Sequence, residues 1–257
     1  MKLHILSSSS TGNSYALEDE QGYTLLIEAG CPLKKLVRFF DFEITKVDGL
    51  LISHEHGDHG KYAKEYSKAG IQLIASRGTL EAVLSEHRFK SCFSKPIASG
   101  TTHQYGHCIG ADSRWKVKAF HIHHDAAEPT GFLICHKECG NVLFLTDTHY
   151  MDAKFKGLNQ VIIEANYDEE ILDKRLQEGS AHPAHLERVN TSHMSIQTTS
   201  AFLKAQDLRT VNNIVLIHLS DSNSNAVQFR NRIESETGKT VTVADRNMTI
   251  DFNLSPF

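Results

Sequence analysis

The stretch that decides the fold of this chain is LLISHEHGDHGKY, residues 50–62, in which an apolar run leads directly into ligand-type side chains. Three histidines, a glutamate and an aspartate fall within positions 54–59. So many polar groups directly after a buried strand are costly unless a metal ion binds them; the alternative is a solvated loop that happens to be rich in histidine. Imidazole and carboxylate together suit zinc, iron or manganese, so the stretch predicts a metal site.

The spacing of these residues constrains the local backbone. Residues two apart share a side in an extended segment but not in a helix, so His54 and His56 face the same way only if the chain stays extended beyond Ser53. Asp58 and His59 then fall in the first turn of the next helix, where the helix dipole favours an aspartate. We therefore predict a strand, an extended loop and a helix start, in that order.

One cluster cannot complete two metal sites, and three residues elsewhere have a matching position. His124 follows the apolar run WKVKAFHI, Asp147 follows NVLFLT, and His218 follows NNIVLI. A lone histidine at the end of a strand is usually structural. Three ligand-type residues that each end an apolar run indicate instead that the same sheet edge carries them all.

Composition limits the class of protein. The chain has 257 residues, 40% hydrophobic and 23% charged, with a formal net charge of −4, so it is not a highly basic nucleic-acid coat; a bound polyanion would need local features or a metal. No apolar stretch is long enough to span a membrane, and the start lacks a signal core. We therefore expect no membrane partner and a cytoplasmic location. The five cysteines, an odd number, are expected to be reduced thiols.

Hydrophobic periodicity predicts strands and helices mixed along the whole chain, with a β-rich middle. Strands are expected at KLHIL, YTLLIEAG, VDGLLIS, IQLIAS, WKVKAFHI, GFLICH, NVLFLTD, VIIEANY, NNIVLIHLS, VTVA and NMTIDF. Helices are expected at PLKKLVRFF, GDHGKYAKEYSKAG, RGTLEAVLSEH, DEEILDKRLQEG, SIQTTSAFLKAQ and NAVQFRNRIESETG. No repeat or linker interrupts this order, so we expect a single α/β domain over residues 1–257, with its sheets covered by helices.

The segment HEHGDH matches the HxHxDH signature of the metallo-β-lactamase superfamily, which the chain resembles over essentially its whole length. Within that fold it looks like the YycJ/WalJ-type and phage-encoded hydrolases, and ribonuclease Z is a more distant relative. The shared landmarks are SSSSTGNSY, HDAAEPTGF, LFLTDT, IIEANYD, SHMS and LIHLSDSNS. The resemblance implies a four-layer αββα sandwich with a dinuclear metal centre at one edge of its two facing sheets.

The resemblance also implies a ligand set and two divalent ions, with zinc expected and manganese or iron as alternatives. One ion would be held by His54, His56 and His124, the other by Asp58, His59 and His218, with Asp147 bridging them. The family motif HDA begins at His124, with His123 as the alternative ligand. An aspartate at the bridging position resembles the pattern of the hydrolase and nuclease branches of the family. Glu28 stands at a position where most relatives have aspartate.

For the chemistry, two ions about 3.5–4 Å apart would hold a bridging hydroxide that attacks phosphorus. Asp58 would both bind a metal and orient this nucleophile. His193, in TSHMSIQ, matches the general acid of ribonuclease Z-like enzymes; alternatively it is an ordinary loop histidine before a helix. Glu164 would orient His193, or form a simple salt bridge.

The segment SDSNSN, residues 220–225, precedes a predicted helix whose free amides would suit a phosphate, with Asn223 and Asn225 as substrate-binding side chains. The alternative is a capped helix that binds no ligand.

These features predict a metal-dependent phosphodiesterase, and the resemblance to the YycJ/WalJ-type and phage-encoded hydrolases implies first of all a nuclease acting on DNA. The net charge of −4 speaks against an extended duplex track, so hydrolysis of small or cyclic nucleotides is the second hypothesis. A thioester or lactone hydrolase is the third, and a metal-bound scaffold without activity is the non-enzyme alternative. The expected partner is a phosphodiester substrate, DNA or a nucleotide, and a homodimer is left open.

Overall fold

The computed structural model describes residues 1–40, 43–84, 94–105, 114–180 and 183–255, with the side chains of 40, 102–105 and 183–187 left aside. Within these ranges the strands form two sheets of seven. The first has the order β14-β1-β2-β3-β4-β5-β6. Its strands are β1 (Lys2–Ser7), β2 (Ser14–Glu18), β3 (Thr24–Ile27), β4 (Val47–Leu51), β5 (Leu73–Ala75), β6 (Ser94–Pro96) and β14 (Met248–Asp251).

The second sheet has the order β13-β12-β11-β10-β9-β8-β7. Its strands are β7 (Thr102–Tyr105), β8 (Trp115–His121), β9 (Thr130–His136), β10 (Gly140–Leu145), β11 (Leu158–Glu164), β12 (Asn213–Ile217) and β13 (Thr240–Val243). Strands β10 to β13 run parallel to one another, as β3 to β6 do in the first sheet. The carboxyl ends of parallel neighbours meet at one edge, and this is where the ligand-type residues emerge.

Helices cover the outer faces of both sheets. On the first sheet they are α1 (Leu33–Phe40), α3 (Ala63–Lys68) and α4 (Arg77–Val83), while a 3-10 turn (Ile44–Lys46) precedes β4 and the short α2 (Gly57–Gly60) follows it. On the second they are α7 (Ile196–Ala205) and α8 (Ala226–Thr237), whereas α5 (Glu169–Gln177) and α6 (Pro183–Ser192) meet in a small apolar cluster of their own through Leu172 and Val189. None of the helices in the described part of the chain is long and apolar enough to cross a membrane.

Three apolar clusters hold the layers together. One lies between the sheets, where Tyr15 and Leu25 of the first pack with Trp115 and Phe144 of the second. The second lies between the first sheet and α1, α3 and α4. The third lies between the second sheet and helices α7 and α8. This is the predicted four-layer αββα sandwich.

Burial along single strands follows from this layering. Every residue of β4 is buried, as expected for a strand covered on both faces. In β8, Trp115 and Val117 are buried while Lys116 and Lys118 are exposed, so one face of this strand meets solvent.

The helix predicted over residues 57–70 is wrong as a single element, because backbone groups of His59 and Tyr62 form hydrogen bonds with Ala29. Helix α2 ends at Gly60 and α3 begins at Ala63. Between them, the amide of Tyr62 donates to the carbonyl of Ala29 (3.0 Å), and the carbonyl of His59 accepts from the amide of Ala29 (2.6 Å). The loop after β3 thus interrupts the helix. Strands β2, β6 and β7 and helix α6 were not predicted, and the end of the helix predicted at RGTLEAVLSEH lies outside the described residues.

Candidate active site at the edge of the two sheets

The histidine-rich loop has the predicted backbone. His56, the residue before helix α2, is extended (φ −55°, ψ 153°), and Asp58 and His59 lie within that four-residue helix. His54 and His59 are fully buried. The loop is held by its neighbours, since the amide of Ser53 donates to the carboxylate of Glu28 (3.3 and 3.4 Å).

The structure brings the seven predicted metal ligands together in two adjoining groups. In each group the ligand atoms all lie within 4.8 Å of one another; the groups are His54, His56 and His124, and Asp58, His59, Asp147 and His218. Asp147 joins them, because its Oδ2 lies 2.6 Å from Nε2 of His59 and 3.4 Å from Nε2 of His54. A carboxylate between two donor groups is the arrangement that a bridging ligand requires.

The donor atoms fit metal ions. A tetrahedral zinc with bonds of 2.0–2.1 Å separates its ligand atoms by about 3.3 Å. Nε2 of His124 lies 3.0 Å from Nδ1 of His56, and Oδ2 of Asp58 lies 3.2 Å from Nε2 of His59 and 3.0 Å from Nε2 of His218. Nε2 of His54 is buried without a hydrogen-bond partner in the described structure. Such an orphaned nitrogen is expected where a cation belongs.

Nδ1 of three of these histidines has a hydrogen-bond partner that orients the imidazole, as is usual for metal-binding histidines, whereas Nδ1 of His59 is buried without one among the described residues. His124 donates through Nδ1 to the carbonyl of Ser192 (3.1 Å), and His218 donates through Nδ1 to Oε1 of Glu164 (2.9 Å). Nδ1 of His54 lies 2.9 Å from the hydroxyl of Ser53, and Nδ1 of His59 lies 3.5 Å from Glu28. With the proton on Nδ1, Nε2 keeps the lone pair that a metal needs.

The electrostatics of the site suit two neutral imidazoles and two ionised carboxylates. Burial lowers the pKa of His54 and His124, which favours neutral imidazole. Burial acts to raise the pKa of Asp58, but hydrogen bonds from His218 and His59 outweigh it and hold that pKa below its usual range. Asp147 also stays ionised, because the nearby charges of His218 and His59 outweigh its burial and lower its pKa. Burial acts to lower the pKa of His59 and of His218, but the charge of Asp147 outweighs it and raises both, so these two rings would give up a proton when a cation binds.

Three residues of the site have a left-handed backbone that non-glycine residues rarely adopt. They are Glu28 (φ 66°), Asp147 (φ 47°) and His218 (φ 57°). Each comes within two residues of the end of a strand, β3, β10 or β12. Such strain costs about 1–3 kcal/mol per residue and clusters at functional sites. Here it turns each side chain sharply off its strand toward the sheet edge.

His193 and Glu164 form a pair beside the second donor group. Nδ1 of His193 donates to Oε1 of Glu164 (2.7 Å), and the same oxygen accepts from His218. Nδ1 of His193 also lies 3.1 Å from Oδ1 of Asp147. His193 lies between α6 and α7, and its side chain is 21% exposed. Burial acts to lower its pKa, but the charge of Glu164 and hydrogen bonds to Asp147 and Glu164 raise the pKa to about 11.

A cavity of about 540 Å³ opens over this cluster. Its wall includes Asp58, His193, Ser10, Arg188 and Asn223, together with residues 220–222. Among the two predicted substrate-binding asparagines, Asn223 lies in the wall, and its Oδ1 accepts from Arg175.

Two other predicted positions lie away from the cavity. Asn225 is the N-cap of α8 and accepts from the amide of Gln228 (3.1 Å), which is the capping role named as the alternative. The ring of His123 stacks on Tyr150 with centroids 4.5 Å apart, so geometry favours His124 as the ligand.

Several contacts of the site had not been predicted. Asn13 donates through Nδ2 to Oδ2 of Asp58 (3.3 Å), and Asn166 donates through Nδ2 to the carbonyl of His218 (2.8 Å). Both asparagines lie in landmark segments, SSSSTGNSY and IIEANYD, but a motif does not tell which side chain turns inward. Arg188, on the unpredicted helix α6, had no sequence signal.

The loop after β3 approaches the histidine-rich loop so closely that only glycine fits at position 30. A Cβ on Gly30 would lie 1.9 Å from the carbonyl oxygen of Asp58 and 2.4 Å from the amide nitrogen of Asn13. Gly30 therefore positions helix α2 against the loop of Asn13.

Comparisons with known proteins agree with this architecture. Over 185 residues the chain is 30% identical to "Exodeoxyribonuclease YycJ" of Bacillus anthracis, a match that takes in 67% of this chain and 66% of the relative, just under two thirds of its length. Zn²⁺-bound PqqB from Methylobacterium extorquens shares the fold at a TM-score of 0.71 and 15% identity, covering 98% of this chain and 100% of that one. The short form of human tRNase Z shares it at 0.60 and 17%, covering 98% and 99%.

The family itself follows from a broader match. The model of the beta-lactamase superfamily domain matches residues 25–219, more than half of the chain. This range contains all seven clustered ligand residues and the His193–Glu164 pair. The resemblance predicted from HEHGDH and the strand-end residues is confirmed: the protein belongs to the beta-lactamase superfamily and has the metallo-β-lactamase fold.

Proposed function

We propose that this protein is a metal-dependent phosphodiesterase, and specifically a nuclease acting on DNA. The single observation that carries the proposal is the shared position of Asp147, between two donor groups and 3.1 Å from the imidazole of His193. Two ion sites next to a proton donor suit cleavage of a phosphodiester. The exodeoxyribonuclease name of the Bacillus anthracis relative supports DNA as the substrate.

Zinc is the proposed metal, with manganese or iron as alternatives, because the donors are five imidazoles and two carboxylates. His54, His56 and His124 would hold one ion; Asp58, His59 and His218 would hold the other; Asp147 would touch both. Two divalent ions held there would supply an activated water and positive charge beside a phosphoryl oxygen.

The side chains around the ligands have separate tasks. Nδ1 of His193 is bound to Glu164, which leaves Nε2 to deliver a proton to the leaving alkoxide. Arg188 lines the cavity and can pair with a phosphate oxygen, and Asn223 can position the substrate beside it. Asp58 helps to orient the attacking water. Positive charge added by cations would lower the pKa of His193 from about 11 toward neutrality, where a general acid works best.

Hydrolysis of small or cyclic nucleotides is the second candidate, favoured by one observation. A cavity of about 540 Å³ lies in the usual range for small-molecule sites and would hold a single nucleotide. A single domain over 1–257, a cytoplasmic location and a homodimer stay predictions, as do the thioester or lactone hydrolase and scaffold alternatives.

The proposal is tested by His193→Ala, assayed on two phosphodiesters after metal loading. Loss of a general acid should slow cleavage of a DNA oligonucleotide by about 10²–10⁴-fold. Bis-p-nitrophenyl phosphate has a good leaving group and should be affected much less. Asp58→Ala is the comparison, because it should impair both substrates. Equal losses on both substrates in a fully metallated His193→Ala protein would remove the general-acid role.

A substrate panel completes the test. Wild-type protein loaded with zinc, manganese or iron should cleave single- or double-stranded DNA faster than RNA, a cyclic nucleotide, a thioester or a lactone. Cleavage of the cyclic nucleotide alone would establish the second candidate, and turnover of only the thioester or lactone would overturn phosphodiester chemistry.

A further inference from the structure

A second cavity, of about 460 Å³, lies beside the first and has a basic wall. Its lining contains three cationic side chains and no carboxylate; it consists of Leu6, Ser7, Thr11, Gly30, Cys31, Pro32, Lys35, Arg38, Phe39, Tyr62, Arg246 and Asn247. We call it the basic pocket. The chain as a whole has a net charge of −4, so a positively charged cavity wall is a local exception. It indicates that the pocket binds an anion.

The three cations come from two distant parts of the sequence. Lys35 and Arg38 are three residues apart on helix α1, so they share one face of it. Arg246 lies in the connection between β13 and β14. Lys35 and Arg246 converge on Cys31: burial raises the pKa of its thiol, while the charges of Lys35 and Arg246 act to lower it. All three cations are exposed, and within the described residues no ion pair neutralises them.

The basic pocket adjoins the cavity of about 540 Å³ over the ligand residues, which we call the metal cavity, through one short loop. Ser10 lines the metal cavity, and the next residue, Thr11, lines the basic pocket. Gly30, also in the wall of the basic pocket, packs against Asn13 and the backbone of Asp58. A chain of phosphates that leaves the metal cavity over this loop therefore meets the three cations directly.

We propose that the basic pocket binds backbone phosphates of a single DNA strand next to the bond that is cleaved, an inference that rests on the proposed function. Lys35, Arg38 and Arg246 contact the phosphates, and the half-buried Tyr62, whose ring centroid lies 5.5 Å from Nζ of Lys61, completes the wall beside them. Three local cations serve a strand of a few nucleotides, so an acidic protein needs no extended basic track. The pocket selects polynucleotides over small phosphodiesters without taking part in the chemistry.

The test compares two triple variants with the same change in charge. The pocket variant is Lys35→Ala/Arg38→Ala/Arg246→Ala. The control is Lys34→Ala/Lys64→Ala/Lys68→Ala, which removes three exposed lysines of α1 and α3 that line neither cavity. Metal-loaded proteins are titrated into a fluorescein-labelled phosphorothioate oligonucleotide, which keeps the backbone charge and resists hydrolysis, and fluorescence anisotropy gives Kd at several salt concentrations.

The expected result is a change in the salt dependence of binding. Each lost phosphate contact lowers the slope of log K against log salt by about 0.7 for a single strand, so the pocket variant should lose about two units. A fourfold rise in salt should then weaken wild type about 16-fold more than the pocket variant, while the control follows wild type. The value of kcat/KM for bis-p-nitrophenyl phosphate should be the same in all three proteins, which also shows that the variants are folded.

Failure of this inference differs from failure of the proposed function. Equal salt slopes in the two triple variants, with hydrolysis of both substrates intact, would overturn the basic pocket and leave the nuclease in place. If wild type cleaves no phosphodiester with any metal, but the pocket variant alone loses oligonucleotide binding, the proposed function fails and the pocket stands.

Discussion

Replacing Glu164 with glutamine changes one atom in a fully buried carboxylate and should disturb the whole site. Oε1 accepts from Nδ1 of His193 (2.7 Å) and of His218 (2.9 Å), and Oε2 accepts from the amide of Met194 (3.1 Å). A glutamine has one acceptor oxygen and one NH₂ donor. If the NH₂ group faces Met194, a buried backbone donor loses its partner. If it faces the histidines, both rings must move their protons to Nε2.

The magnitude follows from these two outcomes. One unsatisfied buried donor costs about 1–3 kcal/mol of unfolding free energy, and the loss of a charged acceptor adds to it. A proton on Nε2 of His218 would block the nitrogen that faces Asp58, so metal affinity should fall about 10–100-fold, the usual scale for a lost outer partner. The stability change should be visible in chelator, where metal binding does not contribute.

The assay is urea unfolding of the chelated protein, followed by metal titration against a chromophoric chelator. Glu170→Gln is the matched control, because Glu170 is exposed at the start of α5. Wild type and control should share one unfolding midpoint and one metal affinity, with Glu164→Gln lower in both. An unchanged midpoint together with unchanged metal affinity in Glu164→Gln would refute the role given to this carboxylate.

Three further changes test other contacts. Gly30→Ala should destabilise by about 1–3 kcal/mol or more in urea unfolding, because its Cβ meets backbone, whereas Gly57→Ala, with open space around it, should be nearly neutral. His124→Ala should lower the bound metal per chain measured by mass spectrometry and His123→Ala should not; the reverse would move the ligand to His123. Asn225→Ala should cost about 0.5–2 kcal/mol through the lost cap and leave KM unchanged; a raised KM would show substrate contact.

Much of the fold and of the ligand group could be predicted because both depend on local pattern. Apolar runs mark the strands, and His54, Asp147 and His218 each follow one, so a shared sheet edge follows from the order of the strands. The start of α2 directly after the histidine-rich loop was also predictable. Its early end was not, because the amide of Tyr62 donates to Ala29, which lies in the loop after β3.

The remaining contacts of the site join segments far apart in the sequence. Asn13 reaches Asp58 across 45 positions, and Ser53 is held by Glu28 across 25. Neither pair has a periodicity or a spacing that a single sequence would reveal. Arg188 could not be found for a similar reason, since its helix is polar in sequence and places it in the wall of the cavity only through the tertiary fold.

The left-handed backbone at Glu28, Asp147 and His218 has a consequence for how this protein changes over time. Glycine or asparagine would adopt this backbone conformation with less strain at each of the three positions, so selection for stability alone would replace these residues. Their strain must be offset by the buried layers on either side of the sheets. A copy of this chain that is no longer selected for metal binding is therefore expected to lose these three side chains early and to become more stable.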